Sequence, residues 1–137
     1  MSSRKLGDLA APALTRFLEF EKKLTESGID FVRACTYRSS EEQDALYAQG
    51  RTTPGMIVTW AKGGQSPHNA TEDGFPTSRA ADYYPLRNGK LAGTETDMDR
   101  ALWAAMGALG MECGLEWGGG WTARKHDYPH FQLPKGA

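Results

Sequence analysis

Residues 78–89, which read SRAADYYPLRNG, are the stretch on which the prediction of the fold depends. The run of apolar and aromatic residues over 79–86 predicts a β-strand. The Asn88-Gly89 dipeptide that follows is typical of a tight hairpin turn. The chain therefore contains a strand that turns back on itself, which is the mark of an antiparallel sheet.

The same strand carries a carboxylate among apolar neighbours. Because side chains alternate between the two faces of a strand, Ala80, Asp82 and Tyr84 share one face. An unpaired carboxylate in a half-buried strand is costly, so Asp82 requires a cation, either a metal ion or an arginine. The small side chain of Ala80 leaves room for such a partner.

The remaining pattern predicts an α+β fold, a small antiparallel sheet flanked by helices that pack on one side. Residues 51–76 are rich in Gly, Pro, Thr and Ser and predict a long loop with one short strand at 56–60. Thr96 and Asp99 resemble a capping box at the start of the clearest helix. One face of that helix is predicted to carry Leu102, Ala105, Met106, Leu109 and Cys113. The other predicted elements are helices at 12–28 and 41–49 and strands at 29–37 and 128–133.

The bulk properties limit the function classes. A chain of 137 residues fits one domain, so we predict that residues 1–137 form a single domain without an independent second module. A formal net charge of -1 gives no basic face for nucleic acid. No apolar run is long enough to enter a membrane, and no secretory signal is visible. Cys35 and Cys113 are expected to be reduced and buried.

Two histidines and one aspartate form a plausible metal-ligand set. His68 lies in the long loop, Asp82 on the central strand and His130 on the last strand. Catalytic zinc sites use three protein ligands and leave a fourth position for water, which a nearby carboxylate such as Asp127 can deprotonate. The Tyr128-Pro129 step must bend for Asp127 to reach that water. His126 competes with His130, but it lies outside the apolar alternation of the strand.

Other polar and aromatic residues allow two interpretations each. Arg38, at a junction of strand and helix, could bind a substrate carboxylate or an oxyanion, or form a structural ion pair with Asp30, Glu41 or Asp82. Trp117 and Trp121 bracket three glycines, and they could line a peptide or sugar groove or belong to the core.

A set of short motifs, taken in order, resembles phage endolysins of the peptidase M15 family, in the L-alanyl-D-glutamate endopeptidase branch. The resemblance runs from about residue 30 to 133 and is specific as a set. The motifs are Tyr37-Arg38-Ser39 with Gln43, Leu46-Tyr47-Ala48-Gln49-Gly50-Arg51, Pro54-Gly55, Ile57-Val58-Thr59, Ala61, Gly64-Gln65-Ser66, His68-Asn69, Ser78-Arg79-Ala80, Asp82, Trp117-Gly118-Gly119, Trp121, Asp127 and Pro129-His130-Phe131.

This resemblance implies a fold of the D-Ala-D-Ala carboxypeptidase and Hedgehog-like type, with one Zn²⁺ on a face of the sheet. The implied metal ligands are His68, Asp82 and His130, and the implied catalytic residues are Asp127 as general base and Arg38. Ser66, Gln43 and Trp117 are the predicted substrate-binding residues. The implied substrate is the peptidoglycan stem peptide, cut between L-alanine and D-glutamate.

Two departures from the family pattern affect the site. Residues 69–77 lengthen the interval between His68 and Asp82, although Ser78-Arg79-Ala80 restores the register. Gly119 stands where the family often has an acidic residue, so any contact made by that carboxylate is absent.

Three readings of the function follow. The first is a monomeric endolysin that accumulates in the host cytoplasm, is released by a holin and acts on the periplasmic cell wall to lyse the host. The second keeps the same zinc site but cuts D-Ala-D-Ala, as a carboxypeptidase or dipeptidase. The third is a non-catalytic virion or binding module that keeps zinc for stability, although a structural site normally has four protein ligands.

Overall fold

The computed structural model describes residues 2–122 and 126–137. A four-stranded antiparallel path, in the order β1-β4-β7-β6, forms the centre of the molecule, and a short β5 extends β4 as a hairpin. The strands of this sheet are β1 (Phe31–Cys35), β4 (Ala80–Arg87), β5 (Lys90–Leu91), β6 (Glu116–Trp117) and β7 (His130–Gln132), and the strands β2 (Thr71–Glu72) and β3 (Phe75–Pro76) form a separate hairpin. The predicted hairpin turn at Asn88-Gly89 is confirmed, and both of its residues have positive φ.

In the described residues, three α-helices accompany the sheet: α1 (Ala11–Glu26), α2 (Ser40–Ala48) and α3 (Asp97–Glu112). The start of α2 is fixed by a capping box, in which Ser39 accepts from the Glu42 N–H and the Glu42 carboxylate accepts from the Ser39 N–H. This mixed helix and antiparallel-sheet architecture confirms the predicted α+β class. Among the described residues, none of the helices has the length and apolar character needed to cross a lipid bilayer.

The hydrophobic core lies between one face of the sheet and the helices α1 and α3. Phe17 and Phe20 of α1 pack against Tyr83 of β4, and Phe20 also packs against Phe131 of β7. All four rings are fully buried. Because strand side chains alternate, burial of Tyr83 and Phe131 on this face turns their neighbours Asp82 and His130 to the other face.

The predicted apolar face of α3 is partly wrong. The residues that the structure buries include Trp103, Met106, Gly107 and Gly110, whereas Ala105 is exposed. A Cβ at Gly107 would lie 2.3 Å from the Trp117 ring, so the glycines let large rings approach the helix. Because glycine has no side chain, the spacing of apolar residues in the sequence does not indicate that Gly107 and Gly110 are buried.

The Thr96 cap is only half of the predicted capping box. The Thr96 hydroxyl accepts from the Asp99 N–H at 3.1 Å, as expected. No return bond from the Thr96 backbone N–H to the Asp99 carboxylate is seen in the described chain, and the carboxylate accepts from Arg87 on β4 at 2.5 Å. This ion pair ties the start of α3 to the sheet.

The long loop differs from the prediction in two places. Residues 56–60 form no strand within the described chain, and their backbone is held by side chains, as described below. The lengthened interval before β4 instead forms a 3₁₀ turn, Pro67–Asn69, and a hairpin of β2 (Thr71–Glu72) and β3 (Phe75–Pro76). Both cysteines are free, as predicted, and Cys113 is only half-buried.

Candidate metal centre and active site

Three predicted metal ligands meet on the face of the sheet opposite the core. Asp82 and His130 are directly paired residues of β4 and β7. The Asp82 Oδ1 atom lies 3.1 Å from His68 Nε2 and 3.5 Å from His130 Nδ1. One carboxylate oxygen therefore faces one nitrogen from each imidazole ring.

The other nitrogen of each ring has a separate hydrogen-bond partner. His68 Nδ1 lies 2.9 Å from the carbonyl oxygen of Thr36, which also accepts from the Ser78 hydroxyl. His130 Nε2 lies 2.7 Å from the Gln132 side-chain oxygen. Because a carbonyl oxygen accepts, each of these nitrogens carries a proton, and the nitrogen facing Asp82 is the one that a metal ion can bind once it is deprotonated. This is the arrangement that metal-ligating histidines adopt.

The contacts of Asp82 with the two imidazole rings have the spacing of zinc ligands. Ligands at tetrahedral angles about 2.0–2.1 Å from zinc lie roughly 3.3 Å from each other. The two separations observed here, 3.1 and 3.5 Å, bracket that value. His68 and His130 are also buried, so their orientation is fixed before any ion binds.

Cys35 is a further potential ligand close to the site. One potential ligand atom from each of Cys35, His68 and Asp82 lies within 4.8 Å of the other two. However, the Cys35 sulfur lies 3.8 Å from His68 Nδ1, the nitrogen already bonded to Thr36, whereas Asp82 lies against Nε2. The Cys35 sulfur thus approaches the nitrogen of His68 that faces away from Asp82, whereas His130 approaches Asp82 itself.

In the metal-free site, the positive charge of His68 and the negative charge of Asp82 stabilise each other. Burial alone would lower the pKa of His68, but the adjacent Asp82 carboxylate outweighs this and raises the pKa to about 10. Burial alone would likewise raise the pKa of Asp82, but His68 and His130 hold it well below its usual range. Metal binding must displace the His68 proton, so the affinity for metal falls as the pH falls.

Arg38 reaches the same carboxylate from the other side. Its Nη2 lies 3.4 Å from Asp82 Oδ2, the oxygen that does not face the histidines. This contact is the ion pair that the sequence allowed as an alternative, and Arg38 also lines the cavity. Within the described residues, Arg38 Nε is a buried donor without a hydrogen-bond partner.

Asp127 lies in the predicted bend before β7. The His130 N–H donates to the Asp127 carbonyl at 3.2 Å, which closes the turn over Tyr128-Pro129, and the Asp127 N–H donates to the Gly118 carbonyl at 2.9 Å. Gly118 is needed there, because a Cβ would lie 2.4 Å from the Asp127 carbonyl oxygen. The Asp127 side chain lines the cavity and remains open to solvent. Partial desolvation and then the charge of Asp82 raise the pKa of its carboxyl group.

The site opens into a cavity of about 670 Å³, a size typical of ligand pockets. One wall is the segment of residues 57–61, which we call the loop wall: Ile57, Val58, Thr59, Trp60 and Ala61. Trp121 lies across from it, with its ring centroid 5.3 Å from that of His130. The competitor His126 also lines the cavity, but it is exposed and its ring packs on Tyr128.

The three predicted substrate-binding residues have different positions. Ser66 lines the cavity, and its hydroxyl accepts from the His68 N–H at 3.2 Å. Gln43 is only 1% exposed and lies behind Arg38, so its position does not allow direct contact with a substrate. Trp117 packs on Phe131 in the core and donates to the Tyr128 carbonyl, and its place in the cavity is taken by Trp121. Gln43 and Trp117 show that a polar or aromatic residue next to a cavity can support the interior without lining the cavity.

Several supporting residues were not singled out from the sequence. Gln132 bonds His130, and its amide also donates to Glu116 at 3.4 Å. Glu116 in turn accepts from the Trp121 indole at 3.0 Å. The shared strand face of His130 and Gln132 was the available signal for Gln132, whereas Glu116 is brought in by the pairing of β6 with β7.

Comparison with known proteins gives a consistent result. The peptidase M15 sequence model described as D-alanyl-D-alanine carboxypeptidase matches residues 60–133. The chain is 37% identical over 114 residues to the peptidoglycan L-alanyl-D-glutamate endopeptidase CwlK of Bacillus subtilis, a match that covers 77% of this chain and 62% of CwlK. The chain thus spans less than two thirds of the length of that curated relative.

A solved structure with a similar fold is the L-Ala D-Glu endopeptidase ChiX of Serratia marcescens. The two structures align with a TM-score of 0.62 over 98% of this chain and 89% of that chain. Their sequence identity of 20% makes this a similarity of fold.

Proposed function

This chain belongs to the peptidase M15 family, and we propose that it is a zinc-dependent peptidoglycan hydrolase that cleaves the L-alanyl-D-glutamate bond of the stem peptide. The observation that carries the proposal is the convergence of His68, Asp82 and His130 at the base of a cavity that Arg38 and Asp127 also line. The 37% identity to an endopeptidase of this specificity supports the choice of bond.

The residues of the chain divide the chemistry as follows. His68, Asp82 and His130 would hold one zinc ion, which when bound polarises the scissile carbonyl and lowers the pKa of a water molecule to about 7. Asp127 takes the proton of the attacking water, and it then donates that proton to the leaving amine of D-glutamate. The raised pKa of Asp127 favours its uptake of the proton from the attacking water. Arg38 donates to the oxyanion that develops on the alanyl carbonyl.

Digestion of purified peptidoglycan followed by mass spectrometry tests the bond specificity. We expect muropeptides to lose the stem peptide after L-alanine and new peptides to begin with D-glutamate. The reaction should stop with a chelator and resume with added zinc. Intact stem peptides after digestion with zinc-loaded protein would contradict the proposal.

A second candidate is a D-alanyl-D-alanine carboxypeptidase or dipeptidase that uses the same residues. The description of the matching family model favours it, because that model covers the part of the chain holding all three ligands. The same digest separates the two, since this activity releases free D-alanine and leaves the L-alanyl-D-glutamate bond intact.

We also propose a role in host lysis, with accumulation in the host cytoplasm and release to the periplasmic wall by a holin. The order of motifs shared with phage endolysins supports this role. The competing role is remodelling of the producer's own wall, since CwlK and ChiX both come from bacteria. Expression in a Gram-negative host with and without a holin tests it, because lysis is expected only when both proteins are present.

A further inference from the structure

The loop wall is held by side chains and not by a neighbouring strand. In the described part of the chain, residues 57–61 belong to no helix or strand, although they form one side of the cavity. Gln49 donates to the Met56 carbonyl at 3.0 Å, just before the wall, and Arg51 donates to the Thr59 carbonyl at 3.1 Å. The position of this wall therefore depends on a few side chains from α2 and the residues that follow it.

Gln43, in the middle of α2, makes the central contacts. Its amide nitrogen donates to the Thr59 hydroxyl at 3.1 Å and to the Ala61 carbonyl at 2.9 Å. Its amide oxygen accepts from Arg38 Nη1 at 3.1 Å. One buried amide thus joins the loop wall, on one side, to the guanidinium that pairs with Asp82, on the other.

The two ends of the amide are chemically distinct. A buried amide must satisfy both its donor and its acceptor, because each unpaired group costs about 1–3 kcal/mol. Reversal of the amide would set its nitrogen against the Arg38 donor and its oxygen against the Ala61 carbonyl. The amide consequently fixes the orientation of both partners at once.

We propose that Gln43 is a positioning residue that sets the loop wall in register with Arg38, so that a peptide bound along the wall presents its carbonyl to the guanidinium. The proposal rests on the proposed function, since it assigns the loop wall to substrate binding and Arg38 to the reacting carbonyl. It gives Gln43 a role through two other groups and no contact with substrate.

Two substitutions distinguish the contribution of the Gln43 amide oxygen from that of its amide nitrogen. Gln43→Glu keeps an acceptor for Arg38 but loses the donor to the wall, whereas Gln43→Met loses both. We expect both variants to raise KM for a soluble stem peptide by roughly three- to tenfold, the effect of a lost hydrogen bond. Only Gln43→Met should also lower kcat by a similar factor, because only there does Arg38 lose its support.

Thr59→Val tests the coupling between the residues. It removes the hydroxyl that Gln43 contacts, so the rise in KM of the double variant Gln43→Met, Thr59→Val should be smaller than the product of the two single effects. The dissociation constant of the uncleaved stem peptide, measured in the Asp127→Asn background, should show the same non-additive pattern. Gln65→Met is the matched control, because Gln65 is an exposed glutamine of the same loop, and its side-chain oxygen accepts from the Lys62 N–H.

Equal loss of kcat in Gln43→Glu and Gln43→Met with an unchanged KM would overturn the proposal. So would full additivity with Thr59→Val, or a loss of thermal stability with unchanged kinetic constants. Failure of the proposed function gives a different result, because the native protein would then release D-alanine or cut nothing. The kinetic constants of the variants are measured for the stem-peptide bond that the native protein cleaves.

Discussion

The two sides of the cavity are built by different means. On the sheet side, Asp82 and His130 are paired residues of neighbouring strands, and Tyr83 and Phe131 beside them are buried in the core. On the loop side, the wall at 57–61 is attached through the side chains of Gln43, Gln49 and Arg51. A ladder of backbone hydrogen bonds fixes position whatever the side chains are, whereas side-chain attachment depends on each residue.

This difference separates chemistry from recognition. Metal ligands tolerate little displacement, since ligand distances must hold within about 0.2 Å. A wall that recognises a substrate can vary without loss of the fold. We therefore expect substitutions on the sheet side to abolish activity or reduce stability, and substitutions on the loop side to alter KM.

Loss of a metal ligand on the sheet side should have the largest effect. His130→Ala leaves two protein ligands, so we expect the purified variant to hold no stoichiometric zinc and to have no more activity than chelator-treated native protein. Metal analysis and the peptidoglycan digest measure this. His126→Ala is the matched control, since that exposed histidine contacts Tyr128. Equal zinc loss in the control would contradict the assignment.

Loss of the carboxylate in the bend before β7 should be the next largest. Asp127→Asn keeps the size of the side chain but removes the base, and we expect activity to fall about 10²–10⁴-fold, with zinc content unchanged. Asp73→Asn, at the tip of the β2–β3 hairpin, serves as the control and should be fully active. Full activity of Asp127→Asn would remove Asp127 from the mechanism.

The sheet side was also the part of the molecule that the sequence predicted best. Alternation along 79–86 was enough to place Asp82 away from the core, and the same rule placed His130 opposite Phe131. Each strand has one face in the core, so the alternation of apolar and polar residues shows which side chains face away from it. His68 comes from a loop without periodicity, so its prediction as a ligand depended on its residue type and on the resemblance of its motif to a known family.

The loop side was predicted less well, for physical reasons. The apolar run at 56–60 has the composition of a strand, but no strand of the described chain pairs with it. Side chains donate to its carbonyls instead, Gln49 to that of Met56 and Arg51 to that of Thr59. Nor does composition separate Trp117 from Trp121. Trp117 is paired with Phe131 across β6 and β7, which directs it to the core, and such pairing over a long sequence separation is not visible locally.

The ionic centre should give the metal-free protein a distinctive pH dependence. His68 has its pKa raised from 6.5 to about 10, so its stabilising contribution is complete below about pH 6.5 and is lost as the pH rises through 10. Asp82 has a lowered pKa, so its contribution is lost only in acid, as the pH falls through the pKa of the folded state. We expect the free energy of unfolding of chelator-treated protein to decrease between pH 6.5 and 10.

Zinc should reverse this trend over the lower part of that range, because the ion replaces the His68 proton and binds more tightly as the proton leaves. Urea unfolding with chelator and with zinc, across the pH range, measures both slopes. His68→Gln supplies the reference for other titrating groups. An identical slope in native protein and His68→Gln, both with chelator, would contradict the predicted pairing.

Packing behind the sheet should be intolerant of added volume. Gly107→Ala would place a methyl group 2.3 Å from Trp117 Cε3, and overpacking of this kind costs about 1–3 kcal/mol. Chemical denaturation should reveal that loss. Ala104→Ser, on the exposed side of the same helix, should stay within about 0.5 kcal/mol of native. An unchanged stability of Gly107→Ala would mean that Trp117 moves freely.

The smallest effect is expected at Arg51, and it tests the loop side directly. The guanidinium lies 3.8 Å from the centroid of the Tyr47 ring and donates to the carbonyls of Tyr47 and Thr59. Arg51→Met removes these bonds but keeps much of the apolar stem, so KM should rise roughly three- to tenfold while kcat and zinc content stay constant. Lys62→Met is the control, because Lys62 is an exposed cation that also lies over the Tyr47 ring, with its Nζ 5.5 Å from the ring centroid. A loss of kcat in Arg51→Met without a change in KM would mean that the loop wall belongs, like the strands, to the catalytic scaffold, and the distinction between the two sides of the cavity would fail.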